Sequence, residues 1–93
     1  MLANDPSNTA VMFGLAKELE KAGEDDQLIE TLNRYLEVAE DEGNAFGMLA
    51  SAYERIGQPE QAKQAYERGI ETALRHGHPG MAEEYRMSLS SKL

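Results

Sequence analysis

Two histidines, seventeen carboxylates and a few serines are the groups in this 93-residue chain from which a reaction could be built. His76 and His78 stand two apart in the stretch Arg75-His76-Gly77-His78-Pro79-Gly80. Zinc needs three or four converging ligands. The chain has neither a third histidine nor any cysteine, so the pair reads as a solvated loop with a histidine at a helix end. The carboxylates cluster at Glu24-Asp25-Asp26 and Glu40-Asp41-Glu42, both at helix junctions. Neither cluster has the glycine and alternating oxygen ligands of a calcium-binding EF-hand, so both read as solvated acidic rim. The first falls at a helix start, where the helix dipole stabilises acids. The second falls near a helix end, where it does not. Ser51, Ser88, Ser90 and Ser91 have no histidine at a helical spacing that would activate them. These residues predict no enzyme, no metal and no cofactor.

The elements that carry these groups follow from composition and period. Hydrophobic residues make up 41% of the chain, enough for one small core. Seventeen acidic residues against nine basic ones give a net charge of −8. That excess repels nucleic acid and anionic lipid alike, so neither is expected as a partner. No apolar run approaches the roughly 18 residues of a membrane span. A cytoplasmic protein is the expectation, although Ser91-Lys92-Leu93 has the form of a peroxisomal address.

A repeat organises the chain. Laying residues 9–42 over 43–76, an offset of 34, places Met12 on Phe46, Leu15 on Leu49, Ala16 on Ala50 and Leu19 on Tyr53. Gly23 falls on Gly57, Leu28 on Ala62, Leu32 on Tyr66 and Leu36 on Ile70. Each pair keeps its character as large apolar, small, or glycine. Within a unit the apolar residues recur at i, i+3, i+4 and i+7, as along one face of a buried helix. Gly23 and Gly57 mark helix ends that need a left-handed residue, and Pro59 suits a first helical turn. The spacing predicts helices over 8–22, 25–41, 44–56 and 59–75, paired into two antiparallel hairpins. Pro79 opens a fifth segment through Ser91, with Ala82, Tyr85, Met87 and Leu89 as its apolar side and Glu83, Glu84, Arg86 and Lys92 as its polar side. The loop before it looks longer than the repeat's normal turn.

The pattern aromatic-x2-Leu-small-x2-Tyr, then Gly, then Ala-x3-aromatic resembles the tetratricopeptide repeat. Phe46, Leu49, Ala50, Tyr53, Gly57, Ala62 and Tyr66 carry it in the second unit. The first unit is more degenerate, with Leu28 in place of the usual alanine and Tyr35 in place of a small residue, which predicts looser helix packing there. The resemblance implies an all-α fold, a right-handed α-solenoid fragment of two repeats, 9–42 and 43–76, closed by a capping helix over 77–93. Residues 1–8, with Leu2 and Asp5-Pro6-Ser7-Asn8, look like the tail of a preceding repeat, so the chain is expected to be an excerpt of a longer array.

In the resembled fold the first helix of each unit lines a concave groove for a peptide or partner protein. By position, unit one presents Phe13, Gly14, Lys17 and Lys21, and unit two presents Asn44, Gly47, Met48, Ser51 and Arg55. A glycine inside a helix costs about 0.5–1 kcal/mol relative to alanine, so Gly14 and Gly47 imply close approach. What approaches is either a peptide backbone, anchored by Phe13 and Met48, or a neighbouring helix. The residues alone leave both open. Family members that grip a C-terminal carboxylate use a clamp of lysine, asparagine and arginine, whereas the matching positions here hold Phe13, Lys17 and Met48. The expected guest is therefore apolar or of mixed charge, and not an acidic tail. Under the groove reading, Gly47→Leu is expected to abolish binding and leave the fold intact. The alternative is a structural module that stacks on adjacent repeats or forms a weak homodimer through an open edge of Leu2, Val11, Leu15 and Leu19. The same period places Tyr53 in the core, where truncation to alanine costs about 3–5 kcal/mol.

Overall fold

The computed structural model of the chain describes residues 8–91, and among them the backbone forms α1 (Thr9–Ala22), α2 (Asp25–Val38), α3 (Asn44–Arg55), α4 (Pro59–Arg75) and α5 (Pro79–Ser91), with no strand. These helices fall into two units. One runs to Glu40 and holds α1 and α2; the other begins at Asp41 and holds α3, α4 and α5. The proposed closing residues Leu2 and Asp5-Pro6-Ser7 lie outside the described residues.

One device makes every turn inside the units. Gly23, Gly57 and Gly77 adopt φ of 74°, 77° and 78°, the left-handed region that a side chain resists. The residue after each glycine then donates its N–H back across the helix end: Glu24 to the Leu19 carbonyl (3.0 Å), Gln58 to Tyr53 (2.9 Å) and His78 to Ala73 (2.7 Å). Carbonyls that would be orphaned at the helix end are satisfied in this way. Pro59 and Pro79 open the helices that follow. The stretch before α5 is thus no longer than the repeat's own turn. Ile56-Gly57-Gln58-Pro59 and His76-Gly77-His78-Pro79 are two copies of one solution.

The second helix ends at Val38, earlier than the expected residue 41. Three consecutive acids at a helix C-terminus would face the negative end of its dipole. Asp41 instead serves the next helix. Its carboxylate accepts from the N–H groups of Gly43 (2.8 Å) and Ala45 (3.0 Å), satisfying donors at the start of α3. At the head of α1, Asn8 plays the same part, its side-chain oxygen accepting from the Val11 N–H (3.1 Å).

In the first unit Ala16, Leu28 and Leu32 are buried between α1 and α2. The bulky Tyr35 sits half-buried beside them and meets Phe13 ring to ring, centroids 5.3 Å apart. Met12 and Leu19 are half-buried, while Val11 and Leu15 are 42% and 50% exposed.

The second unit has the larger core: Phe46, Leu49 and Ala50 of α3 against Ala62, Ala65, Tyr66 and Ala73 of α4, with Ala82 from α5. Arg68 lies over the Phe46 ring at 4.9 Å. Tyr53 is half-buried, although it shares the inward face of α3 with the buried Phe46 and Leu49. Its truncation therefore costs less than that of a fully buried aromatic. Met87, 63% exposed, also departs from expectation, since five residues beyond Ala82 turn it away from the packed face. Met81 takes the inward place instead.

What fixes α5 is Tyr85. Its ring occupies the space where side chains of Gly47 and Gly69 would stand: a Cβ on Gly47 would come within 2.7 Å of the Tyr85 hydroxyl, and one on Gly69 within 2.8 Å of Cε2. The hydroxyl donates to the Gly43 carbonyl (2.7 Å), and the ring meets Tyr66 at 5.8 Å. Nearby, His78 hydrogen-bonds to Glu42, tying the residue before α5 to the residues that lead into α3. That contact holds the Glu42 carboxyl below the ordinary carboxylate range.

These contacts give two checks. Gly69→Ala drives a methyl against both Tyr85 and the Phe46 Cβ (2.9 Å), so it should lower stability by about 1–3 kcal/mol despite alanine's better helix propensity. Tyr85→Phe removes one part-buried hydrogen bond and should lower it by about 1 kcal/mol. Urea titrations followed by circular dichroism measure both. The Glu42–His78 contact carries a pH signature. Because folding lowers the Glu42 pKa, its contribution is present above the unfolded value and is lost as pH falls through the folded one. Glu42→Gln should therefore differ from the parent in stability near neutral pH and converge with it in acid.

Candidate functional site

The expected site residues fall on two helices, one in each unit. On α1, Phe13, Gly14, Lys17 and Lys21 lie on one side. Phe13 is half-buried, and Gly14, Lys17 and Lys21 are exposed. The Lys17 ammonium stands over the Phe13 ring at 5.5 Å, so the aromatic face is already capped by a cation. With Tyr35 behind Phe13, this gives a preformed aromatic–cation surface. Gly14 sits beside it in open space: a Cβ built there would meet nothing within 4 Å, and its backbone is ordinary helix. Among the described residues of the unit, none requires a glycine at this position.

On α3, Asn44 and Arg55 are exposed, and Met48 and Ser51 are half-buried. Gly47 differs from Gly14. The room that its missing side chain leaves is filled by Tyr85 of the same unit. Close approach by a neighbouring helix, one of the two readings left open above, is what the structure contains at this residue. Gly47→Leu therefore disturbs the docking of α5, and the expected intact fold does not hold. Burial pushes the Tyr85 phenol above its ordinary value, so it stays a neutral donor to Gly43 across physiological pH.

A second concave feature was not foreseen. A cleft of about 560 Å³ opens in the second unit, lined by Pro59, Ala62, Lys63 and Tyr66 of α4 and by Leu89 of α5. The Tyr66 hydroxyl at its side donates to Glu54 (3.4 Å). Its signal in the sequence is the α4 series Ala62, Tyr66, Gly69 and Ala73, a stripe of small and aromatic residues running the length of one helix. Among the described residues, no three His, Asp or Glu side chains converge as metal ligands. No helix among them is long and apolar enough to cross a membrane.

The family model of the tetratricopeptide repeat matches residues 43–76, the stretch that holds α3 and α4. A TPR repeat-containing protein of Pseudomonas aeruginosa is 32% identical over 89 residues, an alignment that spans 96% of this chain and 85% of that protein. No solved structure matches the chain. Helical hairpins closed by a recurring glycine turn, a family match over α3 and α4, and a relative similar along nearly the whole chain lead to one conclusion: the chain belongs to the tetratricopeptide repeat family.

Proposed function

We propose that the chain is a non-catalytic protein-interaction module that holds a peptide or partner protein against the α1 face of Phe13, Gly14, Lys17 and Lys21. Tetratricopeptide repeats generally mediate protein–protein interaction. The observation that carries the choice of face is Gly14. A solvent-facing glycine within a helix costs about 1 kcal/mol relative to alanine. Among the described residues, no turn, strained backbone or packed neighbour offsets that cost. A partner whose backbone must approach α1 closely would offset it. Phe13 offers that partner an apolar contact, and Lys17 and Lys21 offer cations to its carboxylates, so the guest is an apolar or mixed-charge segment. On α3, the positions 34 residues on are Gly47, Met48, Ser51 and Arg55, which with Asn44 make the corresponding face of the second repeat.

The test separates binding from folding. Gly14→Ala should raise stability by about 0.5–1 kcal/mol. Gly14→Leu, equally helical, should lose the proteins that the immobilised parent retains from a cell extract. A folded Gly14→Leu variant that retains them all removes α1 as the contact face.

A second reading, self-association, has its own observation. Val11 and Leu15, spaced i, i+4, stand 42% and 50% exposed on another flank of α1. Two such residues on a small acidic domain favour a symmetric dimer through the same patch on each copy. A net charge of −8 opposes that dimer, so it should be weak and should strengthen with salt. Sedimentation should show a salt-dependent dimer that Val11→Lys converts to monomer. A monomer at high protein concentration in both low and high salt excludes it.

A further inference from the structure

We propose that the cleft beside Tyr66 is a second docking site, distinct from the α1 face, that takes an amphipathic helix with an apolar stripe and basic flanks. The argument begins with the stripe on α4. Residues Ala62, Tyr66, Gly69 and Ala73 follow helical spacing and line one side of α4. Its C-terminal half is occupied by a helix, since the Tyr85 ring fills the space over Gly69, and Met81 and Ala73 meet at Gly43. Toward the N-terminus of α4, Ala62 and Tyr66 are already buried, at 3% and 6% exposure, and form the floor of the cleft. Its more open apolar walls are Pro59 and, among the described residues of α5, Leu89, with about 560 Å³ standing open between them. The cleft thus continues an interface that already receives one helix by aromatic-into-small packing. Two helices with an apolar seam between them form the groove into which amphipathic helices lay their apolar face.

Charge selects among such helices. Glu54 and Glu60 stand at the cleft with Lys63, the one cation among the described residues that line it, and the whole chain carries a net charge of −8. Lysine or arginine beside the apolar stripe is attracted by both, whereas an acidic segment or a second copy of this chain is repelled.

The probe is a synthetic peptide with leucine at i, i+3, i+4 and i+7 and lysine elsewhere, titrated into the full chain and followed by amide and methyl NMR shifts. Shifts should concentrate at Ala62, Lys63, Tyr66 and Leu89. Two control peptides, with glutamate for lysine and with alanine for leucine, should each bind about tenfold more weakly, a loss of roughly 1.4 kcal/mol. Leu89→Asp should reduce affinity for the parent peptide by at least the same factor. Glu60→Lys, at an exposed position that leaves the core untouched, should reduce it without changing the circular dichroism spectrum. The proposal is overturned if the alanine peptide binds as well as the leucine peptide, since attraction to net charge would then explain everything. It is also overturned if the shifts map to Phe13 and Lys17 on α1, or if Glu60→Lys, folded as the parent is, binds unchanged. Gly14→Leu should leave the peptide's shifts at the cleft unchanged, and their loss in that variant would also overturn the proposal.

Discussion

The second unit is built around one side chain pressed into three glycines. Tyr85 can dock only because Gly47 and Gly69 carry no Cβ, and its hydroxyl has a partner only because Gly43 presents a carbonyl at 2.7 Å. Glycine in a helix interior is unfavourable by propensity, so α3 and α4 each accept a local cost. In return, a large ring is buried against Tyr66 and its polar end is satisfied. The consequences reach outward from that contact. Placing Tyr85 sets Met81 against Gly43 and turns Met87 to solvent. The same docking leaves Leu89 at the edge of the open stretch of α4.

Residue type alone does not say what a helical glycine is for. Gly47 and Gly69 make room for a neighbour within the unit, whereas a Cβ on Gly14 would meet no atom of the described residues within 4 Å. That contrast is what supports the proposed role of the α1 face. At Gly47 and Gly69 any added atom collides with a ring that is itself held at both ends. At Gly14 an added methyl would meet none of the described residues, so none of them offsets the unfavourable residue. A surface that is locally suboptimal for folding is where an interaction module can meet its partner without disturbing its core.

Much of this was legible in the residues. The 34-residue register placed the paired helices because each apolar side chain recurs at the spacing of a buried face, and Gly23 and Gly57 marked left-handed turns. The departures turn on which groups meet in space, some near in sequence and some far. Asp41 looked like an unfavourable acid at a helix end, and its role emerged only with the N–H groups of Gly43 and Ala45 beside it. His76-Gly77-His78-Pro79 repeats the Gly-x-Pro spacing of Ile56-Gly57-Gln58-Pro59, but Gly80 and the two histidines give it the composition of a longer loop. Tyr53 has the family's aromatic on the inward face and yet is only half-buried. Gly47 was ambiguous until Tyr85, 38 residues away in sequence, was seen to fill its space. Periodicity reads a helix's own faces well. It does not read which side chain of another helix arrives there.

The glycine socket can be observed directly. In proton NMR spectra of the native chain, the Hα resonances of Gly47 and Gly69 should be displaced by the Tyr85 ring current and should show nuclear Overhauser contacts to its ring protons. Both effects should disappear in Tyr85→Leu. Ordinary helical glycine shifts at both positions, with no contact to Tyr85, would contradict the account, because α5 would then be held by something else.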